Sequence, residues 1–203
     1  MRHFRHDKRG WVIYRTAYGD DEAWERFKQN VIERSRRRLA KPGVPPELAD
    51  ALEWTFVSDR ATLEGASVDQ PRHRFRDWAI RARKTEQPRA PADVDRDWNG
   101  ERSPRYSFFI QVDEEGLHTA AYADLSDPFD SGWVNLVRAD EDIDSSRNSA
   151  GLIDETEHGE EDEDEGWMMI AAYMIGPDFY DAIDQWPDTW YAFYTPPPGL
   201  VVY

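Results

Sequence analysis

The chain has 203 residues, 33% of them charged and 13% aromatic, with a formal net charge of −16 and no cysteine. That length suits one sizeable domain, and nine each of Trp, Tyr and Phe supply its core, which excludes disorder throughout. The lack of cysteine excludes disulfides, thiol catalysis and cysteine-ligated zinc or iron–sulfur centres, and no apolar run nears the ~18 residues a membrane helix needs.

Residues 1–10, "MRHFRHDKRG", are basic, lack the apolar segment of a secretory signal and read as a flexible N-terminus. "WVIYRTAY" (11–18) is dense in aromatic and β-branched residues and predicts a strand. "GDD" supplies a turn and cap for a helix over 22–40. Trp24, Phe27, Val31, Ser35 and Leu39 trace one face of it, and arginines crowd its last turns. "KPGVPP" breaks the helix, and "LEWTFVSD" (52–59) predicts a more polar strand. A second helix is expected over 65–83, with Ser67 and Gln70 as a capping box and Phe75, Trp78, Ala79 and Ala82 as its apolar stripe. Residues 84–104 have three prolines and no period, as a surface loop does.

"RYSFFIQV" (105–112) predicts a third strand. After it, Gly116 suits a hairpin, while Leu117, Ala120 and Ala121, with Asp113 as cap, suit a short helix; the helix is the preferred reading. "GWVNLVRA" (132–139) is the fourth strand. Between Asp140 and Glu165 lie thirteen acids and one base, Arg147, against 28 acids and 24 bases elsewhere. One segment therefore makes a nearly neutral body acidic, and 140–165 is expected to be a disordered, solvated loop. "WMMIAAYM" (167–174), a helix from Pro177 and a strand "WYAFY" (190–194) complete a β-α-β annex.

These elements make the expected fold α+β. Over 11–139 the order β-α-β-(α)-β-α-β is that of a ferredoxin-like two-layer sandwich, with the annex at 166–203 packing on it. Strands one and three would be central, and the more polar strands two and four would form the edges.

Five blocks in series, "WVIYRTAYGDDEAW", "LEGASVDQPRHRFRDW", "VDEEGL", "GWVNLV" and "GWMMIAAYMIGPDFYDAI…WYAFYTPP", resemble a large multicopy family of uncharacterised proteins of filamentous fungi. The resemblance spans nearly the whole chain and implies a soluble intracellular protein, here read as cytoplasmic. It carries no activity, substrate or catalytic residue. The basic start and the make-up of the acidic segment lie outside it.

Within "DETEHGEEDEDEG" (154–166) a calcium loop would need glycine at position six and glutamate at position twelve. Counted from Asp162, Gly166 stands fifth and Tyr173 twelfth, so the pattern fails and no metal is expected. No HExxH, GxSxG, GxxxxGK[ST] or GxGxxG motif occurs, and no cofactor is expected. His118, near the end of a central strand and close to Asp113, is the best candidate for acid–base work. Arg15, on the other central strand, needs a carboxylate or a ligand anion, and Tyr106 is a further candidate to hold a polar group.

The sheet face away from the helices keeps aromatic residues, which the annex, a second copy in a homodimer or a planar ligand would cover. The expected function is a non-catalytic binding or interaction protein that uses this aromatic-rich sheet or the annex. Its partner would be a protein or a small hydrophobic molecule, with no nucleic acid and no membrane. The alternative is a cofactor-independent isomerase or cyclase using His118 and Asp113 for proton transfer and Arg15 or Tyr106 for binding.

Overall fold

The computed structural model describes residues 8–86, 103–124, 132–139, 166–184 and 188–203. Residues 1–7 of the expected flexible start, 87–102 of the expected surface loop and the whole expected acidic loop, 140–165, lie outside the described residues. The fold already begins before residue 11. Arg9 is buried and pairs with Asp181, and its amide and carbonyl bond the backbone of Ala51 and Glu53, each at 2.8 Å.

Strand β1 (Val12–Arg15) leads to helix α1 (Asp21–Leu39), whose first turn is closed by Asp20 accepting from the Ala23 amide at 2.8 Å. Acidic Asp21 and Glu22 open α1 and Arg36, Arg37 and Arg38 close it, matching its macrodipole. Next come α2 (Pro46–Ala51), β2 (Thr55–Val57), α3 (Arg60–Leu63) and α4 (Asp69–Glu86). Helix α5 (Pro104–Ser107), β3 (Phe108–Val112), α6 (Glu114–Ala121) and β4 (Trp133–Arg138) follow. The chain closes with β5 (Trp167–Ala171), a 3-10 turn (Ala172–Met174), α7 (Pro177–Ile183), α8 (Asp188–Phe193) and β6 (Leu200–Val201).

Among the described residues six strands form one mixed sheet in the order β2-β1-β3-β4-β5-β6. Strand β1 is parallel to both β2 and β3, β4 is antiparallel to β3 and β5, and β6 is parallel to β5. The class is thus mixed α and β, but the ferredoxin-like arrangement is not formed. That arrangement would set β2 beside β3 and β4 beside β1, whereas here β2 pairs with β1 and β4 with β3. Strands one and three are interior as expected, and β2 is an edge. Strand β4 is interior, because β5 pairs along its free side.

The expectation of two layers also fails, and the reason is visible in β1. Trp11 and Ile13 join Phe108 and Ile110 in a core under α1, α6, α7 and α8, with Trp24, Phe27 and Trp190 packed there. Val12 and Tyr14 join Phe109 and Val137 in a second core under α4, against Phe75, Ala79 and Ala82. Helices therefore cover both faces, and the aromatic face expected to be open is closed by α4. Burial there pushes the Tyr14 hydroxyl up to about 12, against the opposing pull of the nearby Arg74 and Arg81 charges.

Three local expectations change. Residues 105–107 belong to a helical turn, because Pro104 at its first position presets a helical φ. Pro46 likewise starts α2, where the prolines of "KPGVPP" predict only a break. "WYAFY" is helical rather than extended: the Tyr194 amide bonds the Trp190 carbonyl at 2.8 Å, and their rings stack four residues apart at 5.8 Å. After Asp113 the helix is the form taken. Gly132, at φ +65°, lets β4 start against the end of α6, since a Cβ there would lie 2.3 Å from the Thr119 carbonyl carbon.

Ala139 and Gly166 flank the acidic tract and are fixed side by side, the Arg138 amide donating to the Gly166 carbonyl at 2.8 Å. Replacing the 26 residues of 140–165 with a short Asn-Gly turn is expected to leave the melting temperature equal or a few degrees higher. Shortening the loop removes about 2 kcal/mol of closure entropy. Thermal unfolding followed by circular dichroism checks this, and loss of the cooperative transition would show the tract to be structural.

Candidate functional site

The chain leaves β1 through α1 toward β2 on one side, then returns through α4 to β3 on the other, with α1 and α4 on opposite faces. The carboxyl ends of β1 and β3 are thus where the winding reverses, the place where open α/β sheets present ligand sites. Three of the four sequence-predicted residues, Arg15, Asp113 and His118, lie at this end.

Their side chains are largely engaged. Arg15 is buried, and its Nε donates to the Ala17 carbonyl at 2.6 Å. Its Nη2 reaches the Asp20 carbonyl at 3.2 Å and the Asp21 carboxylate at 2.6 Å. Its guanidinium also lies 4.5 Å from the Tyr18 ring centre and 5.5 Å from that of Trp24. The counter-charge demanded by burial comes from within the chain.

Asp113 caps α6, accepting from the Gly116 amide at 2.8 Å, and its second oxygen accepts from Asn135 Nδ2 at 3.0 Å. His118 lies five residues on, about 140° further round the helix axis. It is exposed and stacks on Tyr122 at 6.2 Å, so the structure does not bring the expected acid–base pair together. Between the two strands the Thr16 amide and hydroxyl both donate to the Val112 carbonyl, at 3.0 and 3.1 Å, and Gln111 Nε2 donates to the Ala66 carbonyl at 3.0 Å.

Tyr106 lies at the opposite end, next to Arg105, which is 0% exposed. Arg105 Nε and Nη2 grip Glu86 at 2.7 and 3.0 Å in a two-point pair. Nη2 also donates to Thr55 Oγ1 at 3.2 Å, and Nη1 donates to the Gly10 and Glu53 carbonyls, each at 3.1 Å. All five N–H donors of the guanidinium are used. The Tyr106 hydroxyl adds a bond to Glu86 at 3.1 Å. Burial pushes the Glu86 carboxyl up, but the hydrogen bonds and charge of Arg105 outweigh it and hold Glu86 below the usual range. Gly10, at φ +105°, permits this closeness, since a Cβ there would meet the Glu53 oxygen at 2.3 Å.

Sequence reasoning missed Arg105 and Glu86. A charged residue directly ahead of the strongest apolar run was the available signal for Arg105. Nothing local marked Glu86, which sits at the end of α4 in a stretch read as loop. Chemically the cluster is a clasp joining the starts of β1, β2 and β3, with its donors saturated.

Among the described residues, no group of three His, Asp or Glu side chains is arranged to hold a metal ion, and no helix is long and apolar enough to cross a membrane. No family model matches the chain, and no curated protein or solved structure is significantly similar to it.

Proposed function

We propose that the protein is a non-catalytic, cytoplasmic binding protein that takes an extended segment of a protein partner along β6. The observation that carries this reading is the character of that margin of the sheet. Among the described residues β6 is the terminal strand, and Leu200, Val202 and Tyr203 are 46%, 63% and 61% exposed, with exposed Tyr191 as a further large apolar group of the annex. Apolar side chains on a terminal strand favour addition of another strand, whereas edges kept single are guarded by charge. The other edge fits the guarded kind: Glu53, just before β2, pairs with Lys8, and Asp59, just after it, pairs with Arg74. The engagement of Arg15, Asp113 and Tyr106 within the chain favours binding over proton transfer. Membership of the fungal family that the five sequence blocks resemble is part of the proposal and brings no activity with it.

The test is selection of displayed peptides about ten residues long on the intact chain, followed by measurement of the selected peptides on Leu200→Lys and Val202→Lys. Affinity is expected to fall about tenfold or more in both variants, with melting temperatures nearly unchanged because both sites are exposed. Peptides that bind both variants as well as the wild type would remove β6 as the site.

A further inference from the structure

Strand β6 meets β5 in parallel register, Leu200 beside Met169 and Val201 beside Ile170, and among the described residues no strand lies on its other side. Its two faces differ. Val201 is buried in the core with Ile170, whereas Leu200 and Val202 alternate to the opposite face, 46% and 63% exposed. Tyr203 continues the Val201 face, its ring 5.4 Å from that of Phe193 and 6.0 Å from that of Phe179. Its backbone is held by the Tyr173 hydroxyl, which accepts from the Tyr203 amide at 3.2 Å and donates to the Tyr203 carbonyl at 3.1 Å. A short strand fixed in this way presents its outward N–H and C=O groups for pairing.

Charge says what fits there. Residues 189–203, which lead into and form this margin, contain no Asp, Glu, Lys or Arg, the longest such run in the chain. Outside 140–165 the chain holds 28 acids and 24 bases, so its body is close to neutral. A margin without charge gives a charged segment no ion pair in return for lost water. It also sets no like charges against a second copy of itself. Strand β6 is moreover complementary to its own inverted image. Two copies run antiparallel about Val201 place Leu200 of each opposite Val202 of the other, on one face, and Val201 opposite Val201 on the other face. Every pair is apolar, and a single two-fold axis closes the assembly.

We propose that the protein forms a two-fold dimer in which the β6 edges pair antiparallel and join the two sheets into one. The inference rests on the reading of β6 as a docking edge and names a second copy of the chain as its occupant. The paired strand is short, so the dimer is weak and exchanges readily.

Sedimentation velocity of the full chain, from about 1 µM to about 1 mM in ~0.15 M salt, tests it. The average mass is expected to rise toward twice that of the chain across this range. Association should hold or strengthen as salt increases, because screening removes only the repulsion between two acidic chains. Leu200→Lys and Val202→Glu, each entering the interface twice, should each weaken self-association about tenfold or more. Mixed in equal amounts, these two variants should form a heterodimer about threefold or more tighter than either homodimer, since the register sets the introduced lysine opposite the introduced glutamate. A chain that stays monomeric throughout overturns the inference; the reading of β6 survives that result if displayed peptides still bind there, and falls with it if they do not. A dimer that neither variant weakens, that shows no preference in the mixture, or that dissolves as salt rises uses another surface or register and overturns the inference as well.

Discussion

Arg105→Ala is expected to lower stability by about 3–5 kcal/mol, the usual cost of removing one partner from a buried ion pair. The substitution leaves Glu86, the Gly10 and Glu53 carbonyls and Thr55 Oγ1 without the donor they share. Against a typical total of about 5–15 kcal/mol, this is a large fraction, and the urea midpoint should fall accordingly. Arg105→Lys keeps the charge with three donors in place of five, so its stability should fall between those of the wild type and Arg105→Ala. The pH dependence has a definite sign. In the wild type Glu86 is held low, so its stabilisation is complete above the ordinary glutamate range and is lost as pH falls through its folded value. In Arg105→Ala only burial and the Tyr106 hydroxyl act strongly on Glu86, its carboxyl moves up, and protonation relieves the buried charge. The gap between the two proteins should therefore be widest near neutrality and narrow as the solution is acidified through the glutamate range. A gap that is constant with pH would mean that Arg105 acts by packing alone.

That clasp also shows where reading the sequence stops. Its acceptors come from four separate places, at Gly10, Glu53, Thr55 and Glu86, and no local pattern records which distant carbonyl an arginine will meet. Arg15 is the instructive contrast. Burial on a central strand demands a counter-charge wherever it comes from, so the need was legible although the partner, Asp21, was not. The Asp113–His118 pairing failed for a geometric reason available in advance. A capping carboxylate turns onto its own first turn, and a residue five positions later faces elsewhere.

The fold divides in the same way. Period and capping placed α1, α6 and the core-facing side of α4, because these depend on residues three or four apart. Alternation along β1 sets Trp11 and Ile13 against Val12 and Tyr14, as the structure has them, but strict alternation fails ahead of β3, where Tyr106 lies in a helical turn and packs with Phe109 and not with Phe108 and Ile110. Alternation cannot say which strand lies beside which, and the ferredoxin-like order was an inference from element sequence alone. What decides the topology is that α4 crosses the face opposite α1, placing β3 on the far side of β1 from β2. The apolar stripe of α4 looks the same whichever face it covers.

The annex carries the second large effect. Trp190→Ala is expected to cost about 3–5 kcal/mol, while Tyr191→Ala should stay within about 0.5 kcal/mol. Trp190 is fully buried, stacked on Phe108 at 5.5 Å with planes 10° apart, and Arg138 lies 5.3 Å from its ring centre. Tyr191 is 48% exposed. Extended pairing in this stretch would group Trp190 with Ala192 and Tyr194 and set Tyr191 with Phe193 on the other side. A helix instead groups Trp190 with Phe193 and Tyr194 and turns Tyr191 outward. Trp190→Phe should be much milder than Trp190→Ala. It keeps a ring against Phe108 and removes an indole N–H that is buried with no acceptor among the described residues, so part of the lost volume is offset by relief of an unsatisfied donor. Urea unfolding of the three variants ranks them. Equal losses for Trp190→Ala and Tyr191→Ala would return the segment to a strand, and equal losses for Trp190→Phe and Trp190→Ala would mean that the indole nitrogen is bonded after all.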